Sequence, residues 1–428
     1  MFRRWRISAP CHLHTYVRNS SQLAALPAKA PFQLQPRNGA SSLSGAVTSI
    51  TAPRLAAHGG AHTFQWDAPP RNVLLVKKLN DANVTSSFDS VIRHLQGSYP
   101  QLNIVVDEHV WDQIKDRHEK IVPFRIGDRH MLGDKIDFVI TLGGDGSILY
   151  VSSLFDQNAV PPVLSFSMGT LGFLLPYNIE SFPAALKDVL ESKFTLMLRM
   201  RMSVSLWGET PGECLSFAGE QYCRELHFMN ELVLHRGNEP HMTTIDAYVN
   251  GEHLTQAIAD GLIVSTPTGS TAYALSAGGP IIHPSAATMM LTPICPRSLS
   301  FRAVVFPSDS SIQMFVAPRS RSSAEVSVDG RAVHRLAPYQ SAHVGMSSFP
   351  IPCIQFPPAE SAMRRCGSAS PVVADEWVHD INTLLKFNAS FRPRIAARLT
   401  AHDAEEESYT SQARAILKHA HKRRGRRT

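Results

Sequence analysis

The sequence predicts an α/β N-terminal domain built on an open, mostly parallel sheet, followed by a mainly β, sandwich-like C-terminal domain. Three observations lead there. Short continuous apolar runs alternate with helix-spaced apolar stripes between residues 73 and 190, as expected of strands buried on both faces between helices. Near residue 195 the apolar period changes to two, the pattern of a strand with one wet face. Asn250-Gly251 and Asp329-Gly330 then punctuate the second half, and such pairs are strong hairpin signals.

Taken in chain order, Val73, Leu74, Leu75 and Val76 form the first buried strand. Val84, Phe88, Val91, Ile92 and Leu95 make a helical stripe, stopped by Gly97 and Pro100. Ile104 to Val106 give a second strand; Phe138, Val139, Ile140 and Leu142 a third; Val163, Leu164 and Phe166 a fourth. Ile179, Phe182, Leu186, Val189 and Leu190 fall on one face of a helix that closes this unit. Leu196, Leu198, Met200, Met202, Val204 and Leu206 then alternate with mostly polar residues as one strand. Ile245, Ala247 and Val249 lead into the first hairpin turn, Val326 and Val328 into the second. Beyond residue 358, Trp377, Ile381, Leu384 and Leu385 share one face of a single amphipathic helix. The expected divisions are 1–66 as a leader, 67–193 and 194–358 as the two domains, and 359–428 as a C-terminal extension.

The 428 residues suffice for two ordinary domains plus tails, and a hydrophobic content of 43% is too high for disorder to dominate. No stretch reaches the roughly 18 apolar residues of a membrane-spanning helix, so no membrane insertion is expected. The net charge of +6 has to be located before it is interpreted. Seven basic residues and no acid precede Asp67, and six more lie among the last eleven residues, which leaves residues 67–417 at −7. The charge balance of the folded part therefore does not support a basic nucleic-acid-binding face. The leader is Arg-rich, Ser-rich and acid-free, the composition of a mitochondrial transit peptide; a basic extension without any address is the plainer reading. Six cysteines include no C-x-x-C pair and no His cluster at zinc-ligand spacing, so no protein-held metal is expected, and reduced thiols suit a matrix enzyme.

Gly143-Gly144-Asp145-Gly146-Ser147 follows the third strand and runs into a helical pattern at Ile148, Leu149, Val151 and Leu154. Glycines let the backbone approach a ligand closely, open α/β sheets bind ligands at strand C-terminal ends, and the helix start offers N–H groups to phosphate. The plainer reading is a glycine-rich turn with a capping Asp. Two familiar phosphate motifs fail, because G-x-G-x-x-G meets Leu149 at its last glycine and no G-x-x-x-x-G-K-[ST] occurs around it. The second site is Asp260-Gly261, the apolar Leu262-Ile263-Val264, then Thr266-Pro267-Thr268-Gly269-Ser270-Thr271-Ala272-Tyr273. Its crowded hydroxyls suit ribose, adenine and phosphate edges, or simply cap their own turn. The third is Asn230-Glu231, expected mid-strand between Leu226 and Leu234 with the two side chains on opposite faces.

In that order, GGDGS, Gly169-Thr170-Leu171-Gly172-Phe173-Leu174, Asn230-Glu231 and DGLIVSTPTGSTAYALSAGGP resemble the NAD kinase family over roughly residues 71–356. Thr292-Pro293-Ile294-Cys295-Pro296, Ser298-Leu299-Ser300 and Asp329-Gly330-Arg331 extend the match, and Ser147 replaces a common Thr while keeping the hydroxyl. The resemblance implies ATP-dependent phosphorylation of the adenosine ribose 2′-hydroxyl of NAD or NADH, with Mg²⁺ arriving on ATP. It implies Asp145 as the general base and Gly144 and Gly146 at the nucleotide. It also implies Asn230, Glu231, Thr268, Thr271, Ala272, Tyr273 and Ser276 around the acceptor, Phe173 packing nearby, and Asp260 completing the pocket across a subunit contact in a homo-oligomer. With its basic leader the layout is similar to that of the mitochondrial NADH kinases of fungi. Two rivals are a diacylglycerol-type lipid kinase, which shares GGDG but lacks TPTGSTAY, and a non-catalytic NAD(H)-binding sensor, which the presence of Asp145 gives no reason to prefer.

Overall fold

A helical turn, α1 (Gln22–Ala25), and two strands, β1 (Phe32–Pro36) and β2 (Ala61–Trp66), precede the first expected strand. The alternation then follows as β3 (Asn72–Lys77), α2 (Ala82–Ser98), β4 (Asn103–Asp107), α3 (Glu108–Ile114), β5 (Ile121–Phe124) and α4 (Arg129–Lys135). It continues through β6 (Phe138–Gly143), α5 (Asp145–Leu154), β7 (Val163–Ser167), β8 (Tyr177–Asn178) and α6 (Phe182–Leu190). Next come β9 (Thr195–Arg199), β10 (Met202–Trp207), β11 (Cys214–Leu215), β12 (Leu226–Phe228), β13 (Glu231–His235), β14 (Thr243–Val249) and β15 (Glu252–Ala259). Then follow β16 (Gly261–Ser265), α7 (Tyr273–Ser276), β17 (Thr288–Ile294), β18 (Val304–Pro307), β19 (Ile312–Val316), β20 (Ala324–Val328), β21 (Arg331–Leu336), β22 (Ser341–Met346) and β23 (Ile351–Gln355). This computed structural model describes residues 22–36, 47–48, 50, 61–155, 158–168, 174, 177–210, 212–217 and 225–356, together with Trp377, Ile381 and Leu385. Residues up to Leu384 form one compact unit, to which the following description applies.

The first sheet runs β1-β2-β9-β23-β7-β6-β3-β4-β5. Every pairing from β23 to β5 is parallel, and β1, β2 and β9 extend the sheet antiparallel. All six residues of β3 and of β6 are buried, as central strands covered on both faces require. In α2 the buried residues are the five of the expected stripe, and the Asp81 carboxylate caps the helix by accepting from Val84 N at 3.3 Å.

Two antiparallel sheets make up the rest, β11-β10-β22-β19-β14-β15 and β18-β17-β16-β13-β20-β21. Met202, Val204, Ile245 and Ala247 from one meet Leu232, Leu262, Val264 and Leu291 from the other in a single buried cluster. The result is the expected sandwich. Both turns behave as read, with positive φ at Asn250 and Gly251 and at Asp329 and Gly330.

Three expectations need correction. Residues 22–36 and 61–66, assigned to a leader, are packed: Phe32, Leu34, Phe64 and Trp66 lie in the core of the first sheet, and Trp66 Nε1 donates to Val189 O at 2.9 Å. The strand read from 196 to 206 is two strands in different sheets, divided at Met200-Arg201, because the chain leaves the first sheet for the sandwich there. β9 and β23, counted with the β half, both belong to the first sheet. The basic C-terminal end and Leu384 lie outside the described residues; of the expected helix, Trp377 sets its ring edge-on against His283, with ring centroids 4.7 Å apart.

Candidate active site

In the first sheet the chain steps from β3 through β4 to β5 on one side, then returns to place β6 on the other side of β3. The connections leaving β3 and β6 therefore diverge, and such a switch point opens a crevice at the strand C-terminal ends. β3 ends there at Lys77-Lys78, and β6 runs into the glycine loop and α5. At Gly143 a Cβ would lie 2.4 Å from Ser147 Oγ and 2.9 Å from Lys78 Cβ, so the close approach admits only glycine. A Cβ on Gly144 or Gly146 would meet nothing within 4 Å, and both glycines line a cavity of about 510 Å³. The half-buried Asp145 opens α5, and its carboxylate accepts from Leu174 N at 3.1 Å.

Around the cavity stand Lys77, Lys78, Asp107, His109, Phe124 and Tyr150. Tyr150 donates to Asp107 Oδ2 at 2.6 Å, and burial followed by that carboxylate pushes the phenol well above its usual range. Lys77 is buried, donates to Gln113 Oε1 at 2.9 Å and Thr85 Oγ1 at 3.1 Å, and burial lowers its pKa. Lys78 is exposed beside Asp81 and is the cation of the pair that can reach an anion in the crevice. Sequence reasoning missed these residues; the signal was the Lys-Lys pair at the end of an apolar run.

Asn230 and Glu231 do not sit mid-strand. β12 ends at Phe228, the chain bends, and β13 begins at Glu231. The cause is Asp329, whose carboxylate accepts from Met229 N, Asn230 N and Glu231 N at 2.9, 2.8 and 3.2 Å. Both side chains are buried, and Asn230 Oδ1 and Glu231 Oε2 have no hydrogen-bond partner among the described residues. Burial, and then the Asp329 charge, push the Glu231 carboxyl up to about 7, against the N–H that Tyr273 donates to it. Burial raises Asp329 as well, but its three N–H donors make it the member of the pair that keeps the negative charge.

The TPTGSTAY segment packs on this bend. A Cβ on Gly269 would fall 2.1 Å from Asn230 O. Several hydroxyls serve the segment itself: Thr266 Oγ1 donates to Met229 O and accepts from Gly269 N, and Ser270 Oγ accepts from Ile282 N at 2.9 Å. For these two the plainer reading, a hydroxyl-capped turn, was right. Thr268 is buried against Arg199, Thr271 and Ala272 are half-buried, and the exposed Tyr273 donates its N–H to Glu231. Burial and then Cys295, Asp260 and Glu231 raise the Tyr273 phenol. Asp260 is engaged by Arg236 Nε at 2.7 Å. Ser276 is exposed at the far end of α7, and Phe173 lies outside the described residues.

Met229 links the two halves of the site. It is buried in one cluster with Ile148, Val151 and Leu154 of α5 and with Leu174, so the helix carrying Asp145 and the bend carrying Asn230-Glu231 share a packed base.

Comparison with known proteins agrees with this geometry. Residues 74–194 match the ATP-NAD kinase N-terminal domain and residues 229–356 the ATP-NAD kinase C-terminal domain. The mitochondrial NADH kinase of Schizosaccharomyces pombe is 39% identical over 340 residues, covering 77% of this chain and 78% of its own. That of Saccharomyces cerevisiae is 33% identical over 369 residues, covering 79% and 85%. The crystal structure of yeast NADH kinase complexed with NADH superposes with a TM-score of 0.69 at 31% identity, covering 87% of this chain and 98% of that one. The chain belongs to the ATP-NAD kinase family.

Proposed function

We propose that this kinase transfers the γ-phosphoryl group of ATP to the 2′-hydroxyl of the adenosine ribose of NAD or NADH. The observation that carries the reading is the shared base under α5 and the 229–231 bend, which sets a glycine-lined phosphate site beside a polar acceptor site. The donor's phosphates lie against the first-turn N–H groups of α5 and Lys78, with the nucleoside in the adjoining cavity. Asn230, Glu231 and Thr271 to Tyr273 hold the acceptor adenosine; the orphaned Asn230 and Glu231 oxygens are acceptors waiting for donors such as ribose hydroxyls. In the transfer, the bond from the 2′-oxygen to phosphorus forms as the bond to the bridging β,γ-oxygen breaks, and ADP leaves. The hydroxyl proton passes to Asp145. A carboxylate is a weak base toward a sugar hydroxyl, so Asp145 orients the nucleophile and takes its proton late. Mg²⁺ arriving with ATP would supply neutralisation of phosphate charge, with Asp145 the carboxylate at hand.

The matrix address belongs to the same proposal, supported by the acid-free, Arg-containing residues 1–21 and by relatives named as mitochondrial. So does a homo-oligomer, supported by exposed Leu299 and Val305 and tested by light scattering. Among the described residues no helix is long and apolar enough to cross a membrane. The activity is tested on the full chain with Mg-ATP and either NAD or NADH, with product read by mass. NADP or NADPH is expected, and the ratio of rates assigns the preferred acceptor. NADH binding without product would favour the sensor. Asp145→Asn should bind NADH normally and lose turnover by about 10²- to 10⁴-fold; full activity in that variant removes Asp145 from the mechanism.

A further inference from the structure

Arg201 stands where the chain crosses from β9 to β10 and is 0% exposed. Its guanidinium is spread over backbone carbonyls. Nη1 donates to Ser152 O at 3.0 Å and Phe155 O at 3.3 Å, Nη2 to Phe155 O and Asn158 O at 3.3 Å, and Nε to Phe349 O at 2.6 Å. Ser152 lies in the last turn of α5 and Phe155 is its C-cap. The last carbonyls of a helix lack partners within it and form the negative end of its dipole, so a buried cation satisfies both needs there. Phe349 belongs to the return path from β22 to β23, and Ser347 N donates to Arg201 O at 3.0 Å on the same path. One side chain thus ties the C-terminal end of α5 to both chain crossings between the first sheet and the sandwich.

The opposite end of α5 carries Asp145. Ten helical residues span about 15 Å, so a tilt of roughly 4° about the C-terminal end moves Asp145 by about 1 Å. A misplacement of that size is enough to cost about 10²-fold in rate. The knot also reaches the acceptor side: His227 of β12, two residues before Met229, pairs through Nδ1 with Ser347 Oγ at 2.7 Å and sets its ring at a tilt to that of Phe349. Burial and then Arg201 hold His227 down at about 3, so it stays neutral beside the Arg201 cation.

We propose that Arg201 is a positioning residue for phosphoryl transfer, holding α5 at a fixed angle to the 229–231 bend so that Asp145 faces the acceptor hydroxyl. The inference rests on the function proposed above. Its test is Arg201→Lys, which keeps the charge but cannot span four carbonyls. In the full chain, below its melting temperature, kcat should fall by about 10- to 100-fold while the NADH dissociation constant stays within about threefold. Amide exchange of residues 145–155 should quicken. Val204→Ala in the sandwich core is the control for general destabilisation and should leave kcat nearly unchanged. Ser347→Ala, a gentler change whose hydroxyl also accepts from Phe349 N at 3.0 Å, should lower kcat a few-fold in the same sense and covers the case in which Arg201→Lys does not fold. Equal kcat losses in Arg201→Lys and Val204→Ala at matched melting temperatures overturn the proposal, as does unchanged kcat in both Arg201→Lys and Ser347→Ala. If the wild-type chain itself makes no NADP(H), the functional reading fails on its own, whereas unchanged exchange over 145–155 in Arg201→Lys removes the holding role.

Discussion

Gly144 and Gly269 belong to one site for opposite physical reasons. Gly269 is demanded by the protein, since a methyl group there would collide with Asn230 O; Gly144 is surrounded by open space that only a ligand would fill. Gly269→Ala should therefore displace the 229–231 bend, lower the melting temperature and raise KM for NAD(H) at least about tenfold. Gly144→Ala should leave the melting temperature unchanged and raise KM for ATP instead. Calorimetry and steady-state kinetics on the pair would expose a wrong assignment if the two patterns were exchanged. Glu231 adds a pH dependence. Burial pushes its carboxyl up to about 7 in the folded, unliganded chain, from an ordinary value of 4.5, so between those values the folded state holds a proton that the unfolded state has lost. The stability it contributes is complete below about pH 4.5 and declines as the pH rises to about 7. Ionised Glu231 is the stronger acceptor for ribose hydroxyls, so NAD(H) affinity should increase as the pH rises through about 7. Glu231→Gln should flatten that profile, and an unaltered profile would assign it to another group.

At the scale of elements, legibility followed how local the cause was. The stripe of α2 was read residue for residue because a helix face depends only on spacing. β5 was missed: it is a four-residue edge strand containing Pro123, which a sheet tolerates only at its border. β1 and β2 were missed because each offers two large apolar residues in an acid-free stretch that composition alone assigns to a leader. Their packing makes a direct prediction. A chain starting at Asp67 should expose its partners in the core and lose the burial of Phe32, Leu34, Phe64 and Trp66, each worth about 1.5–3 kcal/mol. That sum is comparable with the whole stability of about 5–15 kcal/mol, so the shortened chain should aggregate or melt far below the full one. A soluble, equally stable Asp67 form would mean that the two strands are dispensable. The bend at Asn230-Glu231 was unreadable for another reason: the carboxylate that breaks the strand is Asp329, remote in sequence.

For the whole molecule, the two architectures and their order were legible because each has its own apolar period. How they join was not, since Arg201 looks in the sequence like one polar residue of an alternating strand. The join also orders events in time. β9 and β23 pair directly although residues 200–350 lie between them. On a ribosome delivering the chain from its N-terminus, β7 and β9 must wait for their shared neighbour until the entire sandwich has been made. The first sheet is therefore sealed last. Until then β7 and β9 present open edges, the kind of surface that recruits chaperones or stray strands. A protein imported as an extended chain would meet the same delay on the far side of the membrane, and its yield of native enzyme would depend on who guards those edges in the interval.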